Sequence, residues 1–157
     1  MHASDFAVQE SMTFFDARPK DKPFVFSVAF YPPKALGDSR EPGEQLEPTD
    51  ETLMLYNKTT IPEPVSNTSF YKLPKFLRSD GTGAVQKFHE RYRTPIHYQT
   101  HMKKYYALVT GIDGACKKIV DRLKQDGLYN STIIIFTTDN GMFHGAHGLA
   151  GEFMFSD

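Results

Sequence analysis

At 157 residues, with 39% hydrophobic and 13% aromatic content, the chain is globular in composition and long enough to bury one ordinary core. A formal net charge of -1 argues against a polybasic nucleic-acid or membrane-surface binder, and leaves room for a local anion pocket made by a few cations. No apolar run reaches the roughly 18 residues of a transmembrane helix, and Met1-His2-Ala3-Ser4-Asp5 lacks the apolar core of a signal peptide.

Residues Ser4–Asp16 carry Phe6, Ala7, Met12, Phe14 and Phe15, which predicts a short helix with Ser4 or Asp5 as N-cap and Pro19 as its stop. Phe24–Phe30 is apolar on both faces, as a central parallel strand would be, and Tyr31-Pro32-Pro33 ends it. Lys34 then falls just past the carboxyl end of that strand. Residues 31–99 hold eight of the ten prolines and read as a long irregular surface loop of functional character. His101–Lys124 is the strongest helix. Tyr105, Val109, Ile112, Cys116, Ile119 and Leu123 recur at steps of three and four, while Lys103, Lys104, Lys117, Lys118 and Arg122 lie off that stripe on a solvated face. Gly111 and Gly114 each cost about 1 kcal/mol inside a helix, which predicts close backbone packing or a local break. Gly127 supplies the stop. Thr132–Thr137, rich in β-branched residues, is a second buried strand, parallel to the first through a right-handed crossover. The fold class expected is α/β, a mostly parallel sheet with flanking helices.

Cys116 is the one cysteine, so no intrachain disulfide forms; its spacing with Ile112 and Ile119 makes it a small core residue rather than a nucleophile. Three of the four asparagines, Asn57, Asn67 and Asn130, sit in Asn-x-Ser/Thr acceptor sequons, where chance predicts roughly half of one. The excess favours a glycoprotein of the secretory pathway. The blander account makes Asn130 a turn residue and the other two part of a polar loop.

The second strand ends abruptly in Asp139-Asn140-Gly141 and opens into a loop carrying His144 and His147 among glycines. A carboxylate and an amide at the carboxyl edge of a parallel sheet are placed as hard oxygen ligands are in such folds. On those residues alone a plain turn is the stronger reading, since Asp, Asn and Gly are the commonest turn formers.

The upstream order changes that balance. Tyr105-Tyr106-Ala107, Gly111-Ile112-Asp113 and Asp126-Gly127-Leu128 lead into the strand, Thr138-Asp139-Asn140-Gly141 and Gly145-Ala146-His147-Gly148-Leu149. This succession resembles the sulfatase family of the alkaline phosphatase superfamily, loosely over Pro23–Phe30 and closely over His101–Gly151. The resemblance implies an incomplete alkaline phosphatase-like fold, with 1–157 a fragment of a single sulfatase catalytic domain. It implies hydrolysis of a small-molecule or carbohydrate sulfate ester by the intact protein, at one calcium ion held in part by Asp139 and Asn140. The family's remaining ligands, an N-terminal aspartate pair and a formylglycine made from a cysteine, would lie outside this chain, as would a signal peptide for a secreted or lysosomal protein. His147 is expected near the sulfate, and His144 as an ordinary loop histidine. Two positions depart from the family pattern. Lys34, the second catalytic candidate, stands where many sulfatases place a histidine after Pro33; lysine could hold the sulfate electrostatically but is a poorer proton donor near neutral pH. Glu152 stands where a sulfate-binding lysine is usual, and a carboxylate repels a sulfate dianion. Two alternatives stay open: a phosphodiesterase or phosphonate hydrolase of the same superfamily, and a sulfatase-like glycoprotein without activity.

Overall fold

A computed structural model describes residues 2–35, 44–79 and 81–151; Glu152 and the central part of the charged stretch after Lys34 lie outside the described residues. Helix α1 runs Ala3–Ala17, close to expectation, but its cap is His2, whose Nδ1 accepts from the Ser4 amide at 3.3 Å. His2 Nε2 lies 2.9 Å from the Glu47 carbonyl, an acceptor, so the tautomer carrying hydrogen on Nε2 serves both bonds. Ser4 is buried inside the first turn instead of capping it. The helix ends before Pro19, whose ring disfavours helical backbone at Arg18.

The Phe24–Phe30 run lies against α1. Phe26 stacks on Phe14 with ring centroids 4.6 Å apart, and Phe24 meets Phe15 edge-on at 5.9 Å. Residues alternate along the run: Phe24, Phe26, Val28 and Phe30 are half-buried, whereas Val25 is 97% exposed. That period of two is strand-like, yet the run joins no ladder among the described residues. Thr132–Thr137 likewise pairs with nothing there, and Ile133 and Ile135 face solvent. The expected parallel sheet is therefore not present among the described residues. A strand is defined by hydrogen bonds to a neighbour, and apolar composition alone supplies none. Among the described residues the one ladder is a short antiparallel pair, β1 (Phe143–His144) with β2 (Ala150–Gly151), in register Phe143 to Gly151 and His144 to Ala150.

The segment 31–99 is more structured than its prolines suggested. It contains α2 (Asp50–Met54), 3₁₀ turns at Val65–Lys72 and Lys75–Leu77, and α3 (Gly83–Arg91). Thr49 caps α2 through its hydroxyl. Leu46 and Ile61 are fully buried, and Gln99 holds Ile61 by both amide bonds, accepting from its N–H at 3.0 Å and donating to its carbonyl at 2.7 Å. Buried backbone groups in irregular chain need such partners, and here a helix side chain supplies them.

Helix α4 spans Pro95–Gln125, beginning six residues before the expected start. Thr94 caps it, accepting from the His97 amide at 3.2 Å, and Pro95 fills the first turn, where a missing N–H costs nothing. Its buried face runs through Tyr98, Met102, Leu108, Ile112, Ala115 and Leu123, while Val109 is 42% exposed, so the stripe is rotated from the one expected. The chain leaves α4 through Gly127 at φ 72°, with Leu128 N–H bonded to Leu123 O at 2.8 Å and Gly127 N–H to Lys124 O at 3.1 Å, a Schellman stop. Gly111 and Gly114 break nothing, and beyond the adjoining residues and the helix's own backbone no atom of the described residues lies within 4 Å of where a Cβ would stand. Arg122 belongs to an interhelix contact rather than a free solvated face: it bonds Asp16 of α1 at 2.7 Å and Asp126 at 3.1 Å.

Candidate functional site

Beyond the exposed run, Thr138 Oγ1 donates to the Asn140 carbonyl at 2.9 Å, and Asn140 Nδ2 donates to the Gly141 carbonyl at 2.9 Å. These bonds turn the chain and orient the Asn140 amide with its oxygen outward. Asp139 and Asn140 are exposed, and neither the Asp139 carboxylate nor the Asn140 side-chain oxygen accepts a hydrogen bond from the described residues. Both oxygens are free to ligate a hard cation. They are only part of a shell of six to eight oxygens, and no group of three His, Cys, Asp or Glu side chains gathers among the described residues.

Four residues downstream, the β1–β2 connection is built on left-handed backbone: Gly145 at φ 89°, His147 at φ 57° and Gly148 at φ 71°. Gly145 N–H reaches Leu149 O at 3.0 Å and closes the loop. The Phe70 side chain sits where a Gly148 Cβ would be, 2.8 Å away at its nearest atom. This contact presses the loop onto the Val65–Lys72 turn. His147 is a non-glycine residue in a sparsely populated conformation, the kind of departure that accompanies function. Its amide lies 3.4 Å from Ser66 Oγ, and its Nδ1 lies 2.8 Å from Ser69 Oγ. Ser69 spends its single hydroxyl hydrogen on the Ser66 carbonyl at 2.7 Å. It must therefore accept from His147, which places hydrogen on Nδ1 and leaves Nε2 facing solvent as the working nitrogen. In the neutral ring Nε2 is a base; in the imidazolium it donates to an anion.

His144 is not an ordinary loop histidine. It is half-buried, its Nδ1 lies 3.1 Å from the Tyr92 hydroxyl, and its ring packs 4.3 Å from that of Tyr105. Burial raises the Tyr92 hydroxyl far above the usual range against the nearby Arg91 charge, so Tyr92 donates and His144 accepts. Burial, with Arg91 second, lowers the His144 pKa to about 4. His101, buried on α4 with its ring 5.2 Å from Tyr92, is lowered further, to about 3, by burial and then by Arg91. Arg91 itself is buried and donates twice to Gln45 Oε1, at 3.1 and 2.9 Å.

Lys34 lies apart from these groups. It lines a cavity of about 120 Å³ with His2, Tyr31, Pro32, Glu47 and Leu108, and no hydrogen bond or ion pair joins it to Asp139 or His147. The sequon residues Asn57 and Asn130 are exposed, whereas Asn67 is half-buried and donates to Glu63 Oε2 at 3.0 Å. Cys116 is half-buried in α4, and burial raises its thiol pKa, which suits a packing role and not a nucleophile. Ser66, Ser69 and Tyr92 are the site residues that sequence reasoning missed. The Ser66-Asn67-Thr68-Ser69 stretch reads as sequon and polar loop, and nothing local announces a histidine 78 residues away.

The family model described as Sulfatase matches residues 2–153. An arylsulfatase of Clostridium perfringens (strain 13 / Type A) is 24% identical over 147 residues, covering 94% of this chain and 28% of that protein. An N-acetylglucosamine-6-O-sulfatase of Bacteroides thetaiotaomicron is 24% identical, over 94% of this chain and 34% of its own length. A solved structure of a protein in complex with its substrate D-glucosamine-2-N,6-O-disulfate superposes with a TM-score of 0.71 at 20% identity, covering 99% of this chain and 41% of that one. The described chain thus shares its fold with that structure, and it spans about a third or less of the two curated relatives.

Proposed function

The chain belongs to the sulfatase family, and on that premise we propose that the intact protein hydrolyses sulfate esters, this segment supplying part of the metal and sulfate site. One observation carries the reading. The free oxygens of Asp139 and Asn140 stand on the same short stretch of chain as a histidine held in left-handed backbone with Nε2 turned outward. Asp139 and Asn140 fit a calcium ion, as one charged and one neutral oxygen ligand of its shell, and the ion would supply positive charge for the ester oxygens. A protonated His147 would donate Nε2–H to a sulfate oxygen, whereas Lys34, the other cation the resemblance assigns to the anion, lines a separate cavity here. As the family resemblance implies, the nucleophile would be a formylglycine made from a cysteine outside this chain; Cys116, half-buried in α4, is a packing residue. Phe24–Phe30 and Thr132–Thr137 form parallel strands in the intact domain, where the apolar faces of Val25, Ile133 and Ile135 are covered. The protein is secreted or lysosomal, with Asn57, Asn67 and Asn130 as glycan acceptors.

Sulfate release from an aryl sulfate by the full-length protein tests this, with an aryl phosphate assayed alongside to separate phosphoryl chemistry. Asp139→Ala should abolish calcium binding and turnover. Asp139→Asn should keep the shape and weaken the ion, because a neutral amide offsets a dication less than a carboxylate does. Unchanged calcium affinity in Asp139→Ala would reduce the Asp-Asn-Gly run to a turn and remove the physical support for the site.

A further inference from the structure

Beside the His147 loop is a second concavity that the metal and sulfate chemistry does not use. It is a cleft of about 160 Å³, open to solvent on one side, that reaches Gly145 two residues before His147. Its apolar surface comes from Phe88, Tyr98 and Pro64, and its polar groups are Glu63, Asn67 and Arg93. Tyr98 is fixed, buried and donating its hydroxyl to the Pro62 carbonyl at 3.0 Å. Glu63 Oε2 accepts from Asn67 Nδ2 at 3.0 Å, so one carboxylate oxygen is already oriented and the other is open. Arg93 is exposed and makes no ion pair with Glu63 or with any other described residue. Two opposite charges thus face one cleft without neutralising each other.

Resting on the sulfatase reading above, we propose that this cleft is a subsite for the pyranose ring of an acidic sugar next to the sulfated unit. The three kinds of group match the three kinds of surface on such a ring. Its C–H face packs on aromatic and proline carbon, where burial of apolar area is favourable. Its hydroxyls donate to the ionised Glu63, bonds roughly twice as strong as neutral ones. A carboxylate or sulfate on the ring meets the Arg93 guanidinium, whose planar fork suits bidentate contact with either anion. The N-terminal end of the 31-residue α4 opens on the same cleft through Thr94 and Pro95, adding partial positive charge for the anionic substituent.

The test is titration of the full chain with three probes: a disaccharide carrying a uronic acid, its neutral glucose counterpart, and inorganic sulfate. The acidic disaccharide should bind at least tenfold more tightly than either other probe. Glu63→Gln should weaken both sugars about tenfold, and Arg93→Ala should erase the preference for the acidic one. Both side chains are exposed, so the fold should survive, and far-ultraviolet circular dichroism checks that. Equal affinity for inorganic sulfate, or sugar affinities untouched by both variants, would overturn the proposal. Aryl sulfate turnover by the full-length protein needs no sugar ring. Its absence counts against the sulfatase reading, whereas intact turnover without sugar discrimination overturns the subsite alone.

Discussion

Gly148→Ala and Gly114→Ala make the same chemical change and should shift stability in opposite directions. At Gly148, φ is 71°, a left-handed conformation that costs an L-residue roughly 1–2 kcal/mol. The added Cβ would meet Phe70 Cβ at 2.8 Å and two of its ring atoms at 3.0 and 3.1 Å, all inside normal contact. Overpacking of this kind costs typically about 1–3 kcal/mol. Gly148 is buried, Phe70 is hemmed by the Val65–Lys72 turn, and relaxation trims the sum to about 3 kcal/mol. At Gly114 the helix is regular and a Cβ meets nothing within 4 Å, so alanine gains up to about 1 kcal/mol of helix propensity. Urea unfolding at constant m-value measures both. Gly148→Ala should lower the midpoint and Gly114→Ala should raise it, a spread of about 4 kcal/mol. For a domain of this size that corresponds to a melting-temperature gap of roughly 8–16 °C. A Gly148→Ala protein within 0.5 kcal/mol of wild type, on the order of ordinary surface substitutions, would refute the claim that Phe70 pins the His147 loop.

Two further outcomes follow from the buried and exposed polar groups. His101 and His144 have folded-state pKa values of about 3 and about 4, below the unfolded value near 6.5. Between those limits the unfolded chain binds more protons, so stability is fully present above about pH 6.5 and falls as pH drops toward 4, by up to about 1.4 kcal/mol per pH unit for each histidine. A His101→Gln, His144→Gln double variant should flatten the pH dependence of the urea midpoint, and an unaltered slope would show that neither ring is held neutral. In protein expressed through a secretory pathway, peptide mass mapping should find glycans on the exposed Asn57 and Asn130 and lower occupancy on the half-buried Asn67; absence of glycan from all three would remove the support the sequons give.

The parts of this fold that were legible in the sequence are those where local chemistry and tertiary packing agree. The α1 helix was visible because Phe14 and Phe15 lie near a proline stop, and only its cap was misassigned, since a histidine accepts the amide that serine was expected to take. The core of α4 was visible, but its first two turns were not: Gln99 and His101 occupy inward positions there and break the apolar stripe. Thr94-Pro95 is a start signal in the sequence that an expected start at His101 passes over. In the 31–99 segment, prolines masked short helices whose buried positions include a paired polar side chain, Arg91 on Gln45, which no hydrophobic pattern records. The two apolar runs were legible as composition only, because a ladder depends on a neighbour elsewhere in the chain. Asp139 and His147 are candidates that the order of motifs singles out, whereas the serines that set the His147 tautomer come from a distant turn and carry no signature.

The same histidines bear on where such a protein can work. Three sequons favour the secretory pathway without distinguishing the extracellular space from an acidic organelle. Protonating His101 or His144 places a charge beside the buried Arg91, with Tyr92 already committed to His144 as a donor. A buried cation without a counter-ion is among the costlier defects in a core, and the core beneath the loop is what holds His147 in place. Acid would therefore loosen the support beneath the His147 loop as those two buried rings take up protons.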